Sequence, residues 1–121
     1  MTNRRPATYE DVVLQELVYE SAYPGPENTV AKIKARLKRK KLGTYDPERV
    51  DRLRRFVVEL RDEIGKWQRS EYYAHPHGDS PRQDDFDVPR LTRDFAARHP
   101  DVAKELVEEF VPFAIYLYYL R

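Results

Sequence analysis

The sequence predicts an all-α protein, a bundle of four to five helices that forms a single domain of 121 residues. Apolar residues recur at helical spacing in several separate segments. Capping residues, prolines and glycines divide the chain between those segments. The longest segment, at about 47–69, holds almost three heptads of apolar positions, and this is a helical repeat. A chain of this length can bury one modest core.

The first helix is predicted over 9–22. Thr8 followed by Asp11 matches a capping box, and acidic residues in the first turn favour the helix dipole. The prolines and glycine of 23–26 end the helix. Its apolar face consists of Val13, Leu14, Leu17 and Val18.

The second segment, 29–41, is compatible with two structures. Ile33, Ala35 and Leu37 alternate with charged residues, as in a strand. Val30, Ile33 and Leu37 also lie at helical spacing, and Ala, Lys, Arg and Leu all favour helices. We predict a helix, with Gly43 as a signal for its end and the basic residues near its C-terminus.

A third, long central helix is predicted over about 47–69. Asp46 supplies an N-cap, and Pro47 suits the first helical position. Apolar residues then recur at alternating steps of three and four, which is the pattern of an a/d seam. These residues are Val50, Leu53, Val57, Leu60, Ile64 and Trp67.

The rest of the chain is predicted as an irregular acidic loop over about 70–88, a short helix over 89–98 and an aromatic C-terminal helix. The last helix is expected to begin near Pro100 or Asp101. Its first half is amphipathic, and its second half, from Phe110, is apolar on every side. Such a helix must be enclosed by other protein surface.

Charge divides the chain into three parts. Residues 1–28 carry 2 basic and 5 acidic side chains, residues 29–69 carry 14 and 6, and residues 70–121 carry 6 and 10. The net charge of +1 therefore conceals a strongly polar molecule. Residues 32–41, KIKARLKRKK, contain seven bases and no acid.

Dense Lys and Arg side chains predict contact with nucleic acid through phosphates, because each neutralised phosphate releases counterions. The expected partner is double-stranded DNA. Pairing with an acidic protein surface, on another protein or on a second copy, and a merely solvated face are the alternatives. The predicted contact residues are Lys32, Lys34, Arg36, Lys38, Arg39, Lys40 and Lys41, with Arg49, Arg52 and Arg55 as auxiliaries.

The stretch 29–43, TVAKIKARLKRKKLG, resembles the recognition helix of a winged helix-turn-helix, which often ends in Leu-Gly. The resemblance implies a helix in the major groove that contacts bases near its N-terminus. This sequence departs from that pattern in several respects. The bases are concentrated in the C-terminal half, the preceding turn holds two prolines, and Asp46 begins another helix where a wing would follow. Asn and Gln, which read adenine, are scarce.

In organisation alone, the chain resembles the α-helical capsid proteins of filamentous viruses of hyperthermophilic archaea. The likeness rests on KIKARLKRKK, RVDRLRRFVVELR and FVPFAIYLYYLR. It implies a structural protein, such as a component of a virion, that wraps DNA with helices and packs against its neighbours. Asn, Gln, Met and Cys together number six against fifteen Arg, which fits either a thermophilic protein or a GC-rich genome.

The apolar C-terminal helix predicts self-association or contact with a related helical protein, because surplus apolar surface marks protein contacts and Tyr is favoured at interfaces. A central position in the protomer is the alternative. The predicted interface residues are Phe110, Phe113, Ile115, Tyr116, Tyr118 and Tyr119.

No catalytic residue, cofactor or metal site is predicted. His75, His77 and Asp79 resemble the HxHxD element of metallo-hydrolases, but that fold needs a longer chain and further histidines. A solvated acidic loop is the favoured interpretation. No apolar run follows the first six residues, so we expect no signal peptide and a cytoplasmic or virion location. The longest apolar stretch, 110–120, is too short to span a membrane.

Overall fold

The computed structural model describes residues 7–22, 28–66, 69–73 and 86–120, together with the side chains in these ranges except those of residues 21, 22, 119 and 120. The described part of the chain contains five helices and no strand, so the all-α prediction is confirmed. An isolated antiparallel bridge joins Tyr73 to Phe86. The helices are α1 (Tyr9–Ala22), α2 (Thr29–Lys40), α3 (Pro47–Gly65), α4 (Val88–Arg98) and α5 (Lys104–Leu120).

Helix α1 is the hub of the bundle and packs against α2, α3 and α5. Helices α3 and α5 also contact each other, and α4 packs on α5. Because α1 has neighbours on several sides, its buried surface exceeds the predicted stripe and includes Val12 as well as Val13, Leu14, Leu17 and Val18. The largest fully buried side chains that the helices themselves carry are Phe56, Phe95 and Phe110.

The first helix has the predicted bounds and the predicted cap. The Thr8 backbone N–H donates to the Asp11 carboxylate at 2.8 Å, and the Asp11 N–H donates to the Thr8 hydroxyl at 3.2 Å. Tyr9 then fixes the connection between α2 and α3. Its hydroxyl donates to the Thr44 carbonyl at 3.1 Å and accepts from the Asp46 N–H at 2.8 Å.

Helix α2 ends at Lys40, three residues before the predicted signal, Gly43. Lys41 adopts the left-handed conformation, with φ 57° and ψ 46°. Its N–H donates to the Lys38 carbonyl, and the Leu42 N–H donates to the Leu37 carbonyl at 3.0 Å. These two bonds are those of a Schellman motif, which satisfies the last carbonyls of a helix. Gly43 follows with φ 116° and turns the chain toward α3.

Helix α3 begins at the predicted cap, where the Asp46 side chain accepts from the backbone N–H groups of Glu48 and Arg49. It ends at Gly65 instead of residue 69. The helix is followed by tight turns instead. The Lys66 N–H donates to the Glu63 carbonyl, and the Arg69 N–H donates to the Lys66 carbonyl. Of the predicted seam, the five residues from Val50 to Ile64 are buried. Trp67 lies outside the described residues.

A turn over 69–73 lies where the predicted 70–88 loop begins, and a buried tyrosine attaches this turn to α4. The Tyr72 hydroxyl donates to the Asp94 carboxylate at 2.8 Å, and the Arg90 guanidinium lies over the Tyr72 ring. Burial and the hydrogen bond to Asp94 raise the pKa of Tyr72 to about 12. The same bond lowers the pKa of Asp94. Residues 74–85 of the loop lie outside the described residues.

Helices α4 and α5 differ slightly from the prediction at their N-termini. Helix α4 begins at Val88 because the Asp87 side chain accepts from the Arg90 N–H and caps it. Helix α5 begins at Lys104 instead of 100 or 101. The Val102 N–H bonds to the His99 carbonyl in a separate turn, so the first helical carbonyl is that of Ala103. Within the described ranges, no helix is long and apolar enough to cross a membrane.

Candidate nucleic-acid interface

Helix α2 carries the basic segment and lies at the margin of the bundle. Thr29, Ile33 and Leu37 are buried, and α2 packs mainly on α1. Its opposite side is exposed. The strand-like alternation of Ile33, Ala35 and Leu37 is overridden by the helical spacing, since Ala35 is exposed between two buried neighbours. The helix thus presents its charged side to solvent along its whole length.

Six of the seven predicted contact residues on this segment are exposed and make no ion pair within the part of the chain that the structure describes. Lys34 has one internal contact, its ammonium group lying 5.4 Å from the centre of the Tyr45 ring. We call these six residues the basic face. They are Lys32, Lys34, Lys38, Arg39, Lys40 and Lys41.

Arg36, the seventh, is directed back into the bundle. Its guanidinium donates to the Glu16 carboxylate at 3.0 Å and to the Gln15 side-chain oxygen at 2.8 Å. The Arg36 and Glu16 side chains are 23% and 16% exposed, so the pair is shielded from water. Arg36 therefore attaches α2 to α1, and its donors are occupied within the protomer.

Two of the three auxiliary arginines on α3 are also paired internally. Arg49 donates to Glu10 at 2.7 Å, and its guanidinium stacks on the Tyr9 ring at 3.9 Å. Arg52 lies 3.7 Å from Asp101 in an exposed pair. Arg55 is exposed and makes no ion pair with another described residue.

Arginines of α2 and α3 neutralise the three glutamates of α1 one by one. Glu10 pairs with Arg49, Glu16 with Arg36, and Glu20 with Arg54. These three glutamates are thereby used in contacts between helices. Sequence reasoning missed this division between structural arginines and exposed lysines, since it depends on how the helices pack.

The predicted oligomer interface is divided between core and surface. Phe110 and Ile115 are 1% and 0% exposed, so they belong to the core of the protomer and not to a surface. Phe113 and Tyr118 are half-buried, and Tyr116 is 52% exposed. The Tyr119 side chain lies outside the described residues. Tyr19 of α1, which the sequence did not single out, is 46% exposed and packs edge-on against Phe113 at 5.9 Å.

The described residues contain no cluster of histidine and aspartate side chains that could hold a metal. His75, His77 and Asp79 lie outside those residues. His99 is buried, packs against Phe56 and Phe95, and bonds to Glu59 at 3.0 Å. No group of three metal-ligating side chains occurs within the described ranges. His99 is therefore a packing residue of the core.

Comparison of the chain with protein-family models, with curated proteins and with solved structures finds no match.

Proposed function

We propose that this protein binds nucleic acid without sequence preference, through phosphate contacts made by the basic face, and that it multimerises to coat or package the nucleic acid. The observation that carries the proposal is the basic face itself. Five exposed cations on α2 and a sixth, Lys41, just after its end have no carboxylate partner among the described residues, while Arg36, Arg49 and Arg54 are paired.

A polyanion is the partner that best offsets this charge. Cations this close together repel one another, and the acids nearest to α2 along α1 are already held by arginines. Binding of phosphates replaces that repulsion by attraction and releases counterions from the nucleic acid. The Arg36 anchor holds the helix in place, so little ordering of the backbone opposes binding.

The kinds of side chain favour contact with the backbone over base reading. Five of the six residues of the basic face are lysines, which act as point charges, whereas Arg suits the bidentate recognition of guanine. Asn28 is the single Asn or Gln in residues 28–43. An architectural role, such as that of a capsid or packaging protein, needs affinity for any sequence and has no use for base recognition.

Self-association is supported by an aromatic surface on the side of the bundle formed by α1 and α5. Tyr19 and Tyr116 are about half exposed, and Phe113 lies against Tyr19. Large exposed apolar side chains that are adjacent to one another are typical of protein contacts. We place the contact between subunits at Tyr19, Phe113 and Tyr116.

A triple neutralisation tests the binding proposal. Replacing Lys32, Lys38 and Arg39 by Gln should abolish or strongly weaken the retardation of random-sequence duplex DNA at low salt. Replacing Arg93, Arg98 and Lys104 by Gln removes three exposed cations from α4 and α5 and should leave it nearly intact. Circular dichroism shows whether both variants keep the helical fold. Equal losses in the two variants would contradict the proposal.

The same assay separates the alternatives. A helix-turn-helix regulator would prefer one selected duplex over random sequences by roughly 10³-fold or more. A module that docks on an acidic protein would purify free of nucleic acid and would not retard DNA. Electron microscopy of the purified material, with and without nuclease treatment, reports on coating directly.

A further inference from the structure

The exposed half of α2 has a small crest between two rows of cations. Successive residues of an α-helix are about 100° apart around the axis. The buried residues Ile33 and Leu37 therefore place Ala35 almost opposite the core, with Ala31 one turn before it. Both alanines are exposed. The part of the helix farthest from the bundle thus carries methyl groups in its first turns.

Five of the six cations of the basic face flank this crest, and Lys40 lies nearer to the core side of the helix. Lys32 and Arg39 form one row, and Lys34 and Lys38 form the other, with Lys41 continuing the second row beyond the helix end. The four helical members lie roughly 40° to 100° from Ala35 around the helix axis. Arg36, on the flank nearest to α1, is held by Glu16 and Gln15. The exposed half of α2 is therefore a convex surface with small side chains along its centre and a row of cations on each side.

We infer that α2 enters the major groove of B-form duplex DNA lengthwise, so that each cation row contacts one of the two phosphate backbones. The inference rests on the proposed function and specifies its ligand. The major groove is about 12 Å wide and about 8.5 Å deep, which admits an α-helix. A crest of alanines lets the helix backbone descend farther than long side chains would. Alanine methyl groups offer base edges only apolar contact, which leaves the sequence almost unread.

Other nucleic acids fit this surface less well. The major groove of A-form RNA is deep and narrow, and side chains cannot enter it. A single strand has one backbone, so it engages one row while the other row stays in solvent. The two-row arrangement thus favours duplex DNA through shape, although every strand attracts the charge.

The decisive probes are four oligonucleotides of equal length: a duplex DNA, the same duplex with glucosylated hydroxymethylcytosine, a duplex RNA and a single-stranded DNA. The neutral glucose fills the major groove and leaves the phosphates unchanged. By fluorescence anisotropy we expect affinity for plain duplex DNA to exceed that for glucosylated duplex at least about tenfold, because blocking entry separates the rows from the backbones. The salt slope on plain duplex should approach about −4.5, the value for five contacted phosphates.

The outcomes distinguish the inference from the proposed function. Equal affinity for plain and glucosylated duplexes overturns groove entry and leaves phosphate binding intact. If none of the four probes binds, both the inference and the proposed function are overturned. Tighter binding to RNA or to the single strand than to duplex DNA also overturns the inference.

A variant of the crest gives a second test that does not change the charge. Ala35→Leu should weaken binding to duplex DNA by about fivefold or more, since a branched side chain prevents close approach to the base edges. Its affinity for single-stranded DNA should stay within about twofold, because charge governs that contact. Ala97→Leu, at an exposed position of α4, is the matched control. Equal duplex affinities of the two variants would overturn groove entry.

Discussion

The Arg36 guanidinium lies 3.0 Å from the Glu16 carboxylate, and this ion pair separates two kinds of cation on a single helix. Arg36 lies on the flank of α2 that meets α1 and has its donors occupied. The six cations of the basic face lie farther out and have no carboxylate partner among the described residues. The near-neutral total charge is therefore compatible with a strongly positive surface, since the three glutamates of α1 are paired with arginines of α2 and α3.

This difference predicts unequal effects on stability for substitutions at two nearby positions of α2. Arg36→Met keeps the length of the side chain but leaves Glu16 and Gln15 without their partner. It should lower the free energy of unfolding by about 1–2 kcal/mol. Lys38→Met, at an exposed position, should change it by less than about 0.5 kcal/mol. Urea denaturation at pH 7 measures both, and equal effects would show that Arg36 is not an anchor.

Local sequence signals accounted for much of the fold. Thr8 and Asp11 lie three residues apart and bond to each other, so the start of α1 needs no information from the rest of the chain. The spacing from Val50 to Ile64 likewise defines the buried face of α3. The prediction misplaced the C-terminus of α3 and the N-terminus of α5, because backbone carbonyls beside these helix ends accept hydrogen bonds in short turns. Lys66 closes such a turn after α3, and His99 accepts in another before α5.

The candidate site was predictable only in part. The run of bases identified the basic face, because ten adjacent residues without an acid cannot be neutralised within their own helix. The sequence could not reveal that Arg36 pairs with Glu16, twenty residues earlier, since this depends on the packing of α2 on α1. The burial of Phe110 and Ile115 had the same origin. An apolar helix meets its neighbours on sides that only the assembled bundle defines.

Charge reversal on the second row should weaken binding to every sequence alike. Replacing Lys34, Lys38 and Lys41 by Glu places acids where the phosphates would lie. The slope of log affinity against log salt should flatten by about 0.9 for each lost contact. Anisotropy on several unrelated duplexes over a salt series measures both quantities. A loss confined to one sequence would indicate base reading and would contradict backbone binding.

Alkaline pH should selectively weaken the attachment of residues 69–73 to α4. The pKa of Tyr72 is raised from 10.0 to about 12, so its neutral hydroxyl contributes stability fully below pH 10. That contribution is lost as the pH rises toward 12, because the unfolded chain ionises first. The difference in unfolding free energy between wild type and Tyr72→Phe should therefore shrink over this interval. Urea denaturation between pH 9 and 12 measures the difference.

A spectrophotometric titration gives an independent check on Tyr72. The tyrosine signal missing from Tyr72→Phe should titrate near pH 12. A missing signal centred near pH 10 would show that the hydroxyl is exposed and that the bond to Asp94 does not form. On the acid side, the same bond lowers the pKa of Asp94, so its contribution should be lost as the pH falls below the ordinary value of 3.8.

Self-association should depend on Tyr116 and not on exposed apolar residues in general. Tyr116→Ser, made alone or together with Tyr119→Ser, should lower the assembly size seen by sedimentation velocity, because it removes aromatic contact area from the proposed interface. Val58→Ser provides the control, since Val58 is 47% exposed on α3, away from the α1–α5 side. An unchanged, strictly monomeric profile in wild type and variants would contradict assembly. Equal effects at the two positions would place the contact elsewhere.

Lys41 combines an unfavourable backbone conformation with a charge in the basic face, and two substitutions separate these properties. At φ 57° a residue with a Cβ atom is strained, whereas glycine is not. Lys41→Gly should therefore be more stable than Lys41→Ala by about 1 kcal/mol in urea denaturation. Both variants lack the ammonium group, so the salt slope on duplex DNA should fall by about 0.9 in each.

If the alanine variant equals the glycine variant in stability, Lys41 does not form the left-handed cap. If neither variant changes the slope, Lys41 does not contact phosphate, and the second row ends at Lys38.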